Sequence, residues 1–274
     1  MCDFSIITPS LNYGHYITEC LESVAGQEGV SFEHLVMDAG SSDNTAEICG
    51  RFAHAELFVE PDGGMSDGIN KGFKRARGRW VMWLNADDRL RPGALLAVKR
   101  FAEQNPGADV IYGCWNFIDS EGNFMRRMTL FPFQRGMLAN MGCYIGSTST
   151  FYKRETTISQ GLLLNIRFRT IMDGEYFCRL ADNGKQFKYL PKVLADFRLH
   201  DKSISQGCLG RTDIDGILVR QIQLAEARAI RRVYGLTLFK DEMLNGMVDG
   251  VLFHAFRFLK GALRTLYVRN AQNG

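Results

Sequence analysis

The chain has 274 residues, 46% of them hydrophobic, and a formal net charge of +3. That length suits one large domain or two small ones, and the apolar fraction fits an ordinary globular core. So slight a charge gives no reason to expect nucleic acid as a partner, and seven scattered cysteines without a CxxC pair speak against a disulfide framework or a zinc site.

The N-terminus enters directly on a strand predicted at 4–8, with no charged region and long apolar run of a secretory signal. A helix over 15–25 follows, then a strand at 32–38, a helix near 44–53, a strand at 56–59 and a helix near 66–76. A strand at 80–84, a helix near 92–104 and a strand at 109–113 complete the first part. This alternation predicts an α/β fold, a Rossmann-like, mainly parallel sheet flanked by helices. Residues 114–208 read as mixed, with strands at 114–119, 147–152, 187–190 and 193–199 and a helix over 173–183. From about 212 the pattern is helical, first 212–233 and then 241–268. The organisation expected is one α/β unit over 1–208, with halves 1–113 and 114–208, and a helical C-terminal extension over 209–274. No run reaches the ~18 apolar residues that span a bilayer. Reduced thiols in a cytoplasmic protein are the simpler account of these cysteines.

In a parallel sheet, ligands bind beyond the carboxyl ends of the strands. The loops after the first four predicted strands carry Thr8-Pro9-Ser10, Asp38-Ala39-Gly40-Ser41-Ser42-Asp43, Glu60-Pro61-Asp62-Gly63-Gly64 and Asn85-Ala86-Asp87-Asp88. Four polar clusters therefore share one edge. Neither GxGxxG nor GxxxxGK[ST] occurs, so both familiar phosphate-cradling loops are absent. The adjacent carboxylates Asp87 and Asp88, after the apolar run Trp80-Val81-Met82-Trp83-Leu84, suit Mn²⁺ or Mg²⁺, which keeps open positions for substrate phosphates. Capping of the helix opened by Pro92 is the other reading of the same two residues.

These motifs resemble those of the family 2 glycosyltransferases. The blocks are Ile7-Thr8-Pro9-Ser10-Leu11-Asn12, the segment from Asp38 to Thr45, and the segment from Glu60 to Gly72. Leu84-Asn85-Ala86-Asp87-Asp88, Met172-Asp173-Gly174-Glu175-Tyr176-Phe177 and Phe197-Arg198-Leu199-His200 follow in the family's order. The resemblance covers roughly 3–206 and implies a GT-A fold and inverting sugar transfer, most like enzymes that build bacterial surface polysaccharides. The donor implied is a nucleotide sugar, UDP-linked by preference. The acceptor is a saccharide or a lipid-linked one.

The resemblance also implies roles. Asn85 stands at the first position of the family's Asp-x-Asp motif, which leaves Asp87 as the direct metal ligand with Asp88 close by. Asn85 and Ala86 count with the donor site. Pro9 and Ser10 would pack near the base or ribose, and Asp38 could accept a base N–H. Asp62 would contact the nucleotide. Asp67 reads equally as a helix cap, and Lys71 could reach phosphate, with a solvated basic face the commoner explanation. Asp173 is the candidate general base, with Glu175 in reserve and an N-cap as the alternative. Arg198 could fork onto diphosphate oxygens, and His200 could serve as a metal ligand or be structural. The absent QxxRW motif of processive synthases favours single transfers. Two other readings stay open: a nucleotidyltransferase that makes a sugar nucleotide, and a non-catalytic sugar-nucleotide binder. The amphipathic 241–268 segment, with Arg257, Lys260 and Arg264 opposite its apolar face, suits a homodimer or peripheral contact with the inner face of the cell membrane.

Overall fold

The computed structural model describes residues 2–201 and 214–234, so the predicted helix over 241–268 lies outside the described residues. Strands β1 (Phe4–Ser10), β2 (Phe32–Asp38), β3 (Ala55–Val59) and β4 (Trp80–Trp83) run parallel in the order β3-β2-β1-β4. Helices α1 (Ile17–Ala25), α2 (Thr45–Cys49) and α3 (Met65–Arg75) connect them. Next in the chain come β5 (Arg89–Leu90), α4 (Ala94–Gln104), β6 (Val110–Ile118), β7 (Phe124–Met128), α5 (Arg135–Met141) and β8 (Thr150–Lys153). Helix α6 (Met172–Asp182), β9 (Phe187–Arg198) and the C-terminal α7 (Ile214–Tyr234) complete the described chain. The sheet continues from β4 through β8, β6 and β9 to β5, with β7 paired to β6.

Every residue of β1 and β4 is buried, as continuous apolar runs require when a parallel sheet is covered on both faces. α1 buries Ile17, Cys20, Leu21 and Val24, one stripe at helical spacing. α3 lies close on β1 because position 72 is glycine: a Cβ there would sit 2.3 Å from Ile7 Cγ2. Beneath the polar edge, Trp83 stacks on Tyr152 with centroids 5.5 Å apart, and Phe73 and Tyr176 pack around the pair. No described helix is long and apolar enough to cross a membrane.

The structure corrects the second half of the predicted order. The strands expected at 109–113 and 114–119 are one strand, β6, with its register slipping at Gly113 and Cys114. Gly113 permits this, since a Cβ there would meet Leu194 Cδ1 at 2.5 Å. Likewise 187–190 and 193–199 are one strand, and the apparent break is Pro191, which sits where the β6–β9 register shifts. Proline lacks the ladder donor and is tolerated at such irregularities. β6 and β9 pair parallel, whereas β5, β7 and β8 join antiparallel. β5, β7 and α5 carry no sequence signal: two residues are too few for a period, and β7 is an exposed edge.

One core residue has a measurable consequence. His34 is buried on β2, with Nε2 2.8 Å from Thr8 Oγ1 and Nδ1 without a partner. Burial, and then the nearby His54, push its pKa down to about 3. The unfolded chain takes up this proton below about pH 6.5, whereas the folded chain does so only near 3. His34 therefore favours the fold above the unfolded value and loses that contribution as pH falls. Urea unfolding at pH 7.5 and pH 5 is expected to show His34→Gln losing about 1–2 kcal/mol less stability than the parent.

Candidate active site

The parallel strands end together: Ser10 pairs in register with Asp38, and Asp38 with Val59. The Ser10 hydroxyl is buried there without a partner. The Asp38 carboxylate organises its own loop, accepting from the Gly40 and Ser41 amides at 3.1 and 2.7 Å and from the Ser41 hydroxyl. Asn12, at φ 59°, joins the first loop to the second, with Oδ1 accepting from Ser42 N at 2.8 Å. Asp43, in turn, accepts from the Gly14 and Thr45 amides.

The third loop is also stitched internally. Asp62 accepts from Gly64 N at 2.8 Å, and Gly64 itself, at φ 117°, holds a backbone that other residues resist. Asp67 accepts from Gly63 N at 3.0 Å and pairs with Lys71 Nζ at 3.2 Å. These contacts hold its carboxyl below the usual range, the Gly63 amide first. Lys71 also donates to Pro61 O at 2.6 Å. Lys71 is thus tied to the loop, and Asp67 stabilises the same turn.

The turn after β4 carries the sharpest geometry. Asp87 Oδ2 lies 2.9 Å from His200 Nε2. Asp88 points the other way. Its Oδ1 accepts from Arg198 N at 2.9 Å, and its Oδ2 accepts from Thr148 Oγ1 at 2.8 Å and Asn85 Nδ2 at 3.1 Å. Burial, and then the charge of Asp87, push the Asp88 carboxyl up from its ordinary range. The sequence reading makes Asp88 a second metal ligand; the structure gives both its oxygens to protein donors. Ala86 is buried in the cluster with Ile17, Leu21 and Val36, so its methyl serves the core.

Arg198 is placed differently from the sequence expectation of a diphosphate fork. Its side chain is fully buried. Nε donates to Asp87 O at 2.9 Å, Nη1 to Ser120 O at 2.8 Å, and Nη2 to Glu19 Oε2 at 2.7 Å. The guanidinium also lies 5.1 Å from the centre of the Tyr16 ring. Glu19 is shared with Arg89, which continues to Asp196 at 2.9 Å. Arg198 thus braces the Asp87 turn from behind.

Two cavities flank Asp87 and His200. The smaller, about 110 Å³, is lined by Tyr13, Asn85, Asp87, Arg169, Thr170 and Asp173, among others. The larger, about 720 Å³, lies between the first loop, the 119–125 turn and His200. Its size is within the range of about 300–1,000 Å³ of small-molecule sites. Tyr13 borders both. Burial, and then the charges of Asp87 and Asp88, hold its hydroxyl protonated well above its usual range. Asn85 Oδ1 is buried without a partner beside the smaller cavity.

Asp173 stands in the first turn of α6, where Ile171 is the N-cap residue and no side chain caps that position. It does not act as the N-cap. It is half-buried, and its Oδ1 accepts from Gly174 N at 2.8 Å. Burial raises its pKa to about 6. Glu175 is committed elsewhere, to Arg179 at 2.8 Å and to Tyr234 at 3.0 Å. The structure therefore gathers Asn85, Asp87 and Asp173 on one cavity and puts His200 against Asp87. It leaves Pro9, Ser10, Asp38, Asp62 and Asp67 along the strand edge. Tyr13, Thr148, Glu19 and Arg169 are not among the residues that the sequence singles out, although Tyr13 lies one residue beyond the first motif.

Among the described residues no three His, Cys, Asp or Glu side chains converge as a metal site. Asp87 and His200 supply one oxygen and one nitrogen. That set fits a divalent ion that draws its remaining ligands from a diphosphate and water.

Similar proteins agree with this architecture. A PGL/p-HBAD biosynthesis glycosyltransferase of Mycobacterium tuberculosis is 29% identical over 237 residues, 84% of this chain and 88% of its own length. The hyaluronan synthase of Pasteurella multocida is 27% identical over 75% of this chain and 21% of its own length. Among solved structures, S. aureus TarS 1-349 in complex with UDP-GlcNAc superposes with a TM-score of 0.63 at 17% identity, covering 90% of this chain and 79% of that one. The mannosyltransferase PcManGT from Pyrobaculum calidifontis, in complex with GDP-Man and Mn²⁺, gives 0.56 at 14% identity over 99% and 87%. The family model described as Glycosyl transferase family 2 matches residues 5–180, a stretch running from β1 into α6 and taking in both Asp87 and Asp173. The chain belongs to that family and is a glycosyltransferase.

Proposed function

We propose that this enzyme moves a sugar, with inversion, from a nucleotide sugar to a saccharide or lipid-linked acceptor in surface polysaccharide or glycolipid assembly. The observation that carries this reading is that Asp87 and Asp173, far apart in the matched region, line the same cavity. A UDP-sugar is the favoured donor, in keeping with the TarS complex, although the PcManGT complex holds GDP-Man. The match to a glycosyltransferase family favours this reading over a nucleotidyltransferase or a non-catalytic binder.

The chain's residues divide the work. Ser10, Asp38 and Asp62 line the strand edge that receives the nucleoside. Asp87 and His200 would hold Mn²⁺ or Mg²⁺, which supplies Lewis-acid stabilisation of the departing diphosphate. Tyr13, kept protonated, offers a hydrogen-bond donor beside Asp87. Asp173 removes the proton from the acceptor hydroxyl as that oxygen attacks the anomeric carbon, and the nucleoside diphosphate leaves from the opposite face.

Incubation with UDP- and GDP-sugars and Mn²⁺ tests the reading. Nucleoside diphosphate release is expected, together with a product of inverted anomeric configuration by NMR; retained configuration would overturn the single displacement. Asp87→Ala tests the metal assignment. Loss of an outer partner of a metal ligand costs about 10–100-fold in affinity, so loss of the ligand itself is expected to weaken Mn²⁺-dependent UDP binding by at least about tenfold. Calorimetry with UDP and Mn²⁺ reads this directly, and unchanged affinity would remove the metal from Asp87.

A further inference from the structure

No step above uses α7, yet α7 grips the segment that leads into Asp173. The Glu226 carboxylate accepts from the backbone amides of Arg169 at 2.6 Å, Thr170 at 3.0 Å and Ile171 at 3.1 Å. It also accepts from the Thr170 hydroxyl at 2.6 Å. The start of a helix leaves amides without intrahelical partners, and Ile171, the N-cap residue of α6, contributes no side-chain bond. An acid from a distant helix satisfies the Ile171 amide and the two amides of the segment that leads into it. The contact extends along one face of α7, at four-residue spacing. Ile230 is buried, and a Cβ built on Gly174 would lie 3.8 Å from its Cδ1. Tyr234 donates to Glu175 Oε1 at 3.0 Å.

The clamped segment is also cavity wall: Arg169, Thr170 and Asp173 border the cavity that Asp87 borders. From the other side, α3 holds the preceding loop, with Asn70 and Leu164 exchanging two hydrogen bonds at 2.9 and 2.8 Å. The geometry points to Glu226 as a positioning residue, which fixes 169–171 so that Asp173 is presented to the acceptor, and makes α7 a working part of the transfer site. The inference rests on the assignment of Asp173 as the base. A misplacement of about 1 Å at a reacting group costs on the order of 10²-fold, so four bonds to one carboxylate can control rate while touching no substrate.

The test uses the full chain as wild type, Glu226→Ala, Glu226→Gln, Tyr234→Phe and Asp173→Asn. Amide hydrogen exchange is read at 169–174, and UDP affinity with Mn²⁺ by calorimetry. kcat and KM are measured with UDP-glucose, UDP-N-acetylglucosamine and GDP-mannose, water serving as acceptor. Glu226→Ala is expected to speed exchange at 169–171 by about tenfold or more and to lower kcat by about 10–100-fold. Donor KM and UDP affinity stay unchanged. Glu226→Gln, which keeps one acceptor oxygen, should recover part of the rate, and Tyr234→Phe, which loses one bond at the end of the contact, should lose less than Glu226→Ala. Unchanged exchange at 169–171 in Glu226→Ala overturns the clamp. So does a kcat loss that disappears after correction for the folded fraction. Should Asp173→Asn stay active while Glu226→Ala loses rate, the base assignment fails and the presentation of Asp173 by Glu226 fails with it. Should Asp173→Asn be inactive and Glu226→Ala normal, the clamp alone fails.

Discussion

Asp173→Asn is expected to lower sugar transfer by about 10²–10⁴-fold, the usual contribution of a positioned general base, and to leave UDP affinity intact. The amide keeps the shape and the hydrogen bond from Gly174 but cannot take a proton. With its pKa raised by burial to about 6, Asp173 is ionised at neutral pH yet basic enough to serve. The wild-type rate should therefore rise through about pH 6 to a plateau and fall about tenfold per unit well below it. The same shift acts on stability with the opposite preference. The folded state binds this proton more tightly than the unfolded state, so the group favours folding at low pH and loses that contribution as pH rises through about 6. At pH 7.5 the ionised carboxylate is thus a burden on the fold, and Asp173→Asn should be more stable than the parent by about 1–2 kcal/mol. A variant that gains melting temperature while losing turnover separates a catalytic carboxylate from a structural one. Full activity in it would reject the assignment.

Arg198→Ala carries the largest expected cost to the fold. A buried guanidinium with four protein partners cannot be removed without leaving them unsatisfied: the Asp87, Asp119 and Ser120 carbonyls and the Glu19 carboxylate. Breaking a buried pair from one side costs about 3–5 kcal/mol, and melting temperature should drop by about 10 °C or more. Arg198→Lys should recover little, because an ammonium cannot span acceptors set out for a planar fork. Thermal melts and UDP calorimetry together decide the role. A variant that melts like the parent but loses UDP affinity would return Arg198 to the phosphate-binding task that its sequence position suggests.

Arg198 also shows where local sequence stops being informative. The Arg-x-His pair at a strand end announces a polar site, and His200 does meet Asp87. Which way the Arg198 side chain points depends on Glu19, 179 positions away along the chain. Asp87 and Asp173 were legible because each follows a strong local signal, an apolar strand and a helix start. Asp88 was half legible: its place is right, but its three donors come from Asn85, Thr148 and Arg198, on separate segments. The parallel strands read clearly from their apolar runs. β6 and β9 were cut in two because Pro191 and the Gly113 slip look like ends when seen without a neighbour. Glu226 had no signal at all, since its partners lie 55 to 57 residues away.

The pairing of β5 with β9 has a temporal consequence. Arg89 and Leu90 close the far edge of the sheet against Asp196 and Ala195, and the Arg89–Asp196 bond spans 107 positions. A ribosome releases about 5–20 residues per second, so the nascent N-terminal portion waits several seconds or more for the strand it needs. During that interval an edge of unpaired amides and carbonyls is open to other chains. Production of this enzyme should therefore be limited by what shields the emerging polypeptide, and slower translation before residue 198 should raise the aggregated fraction rather than reduce it.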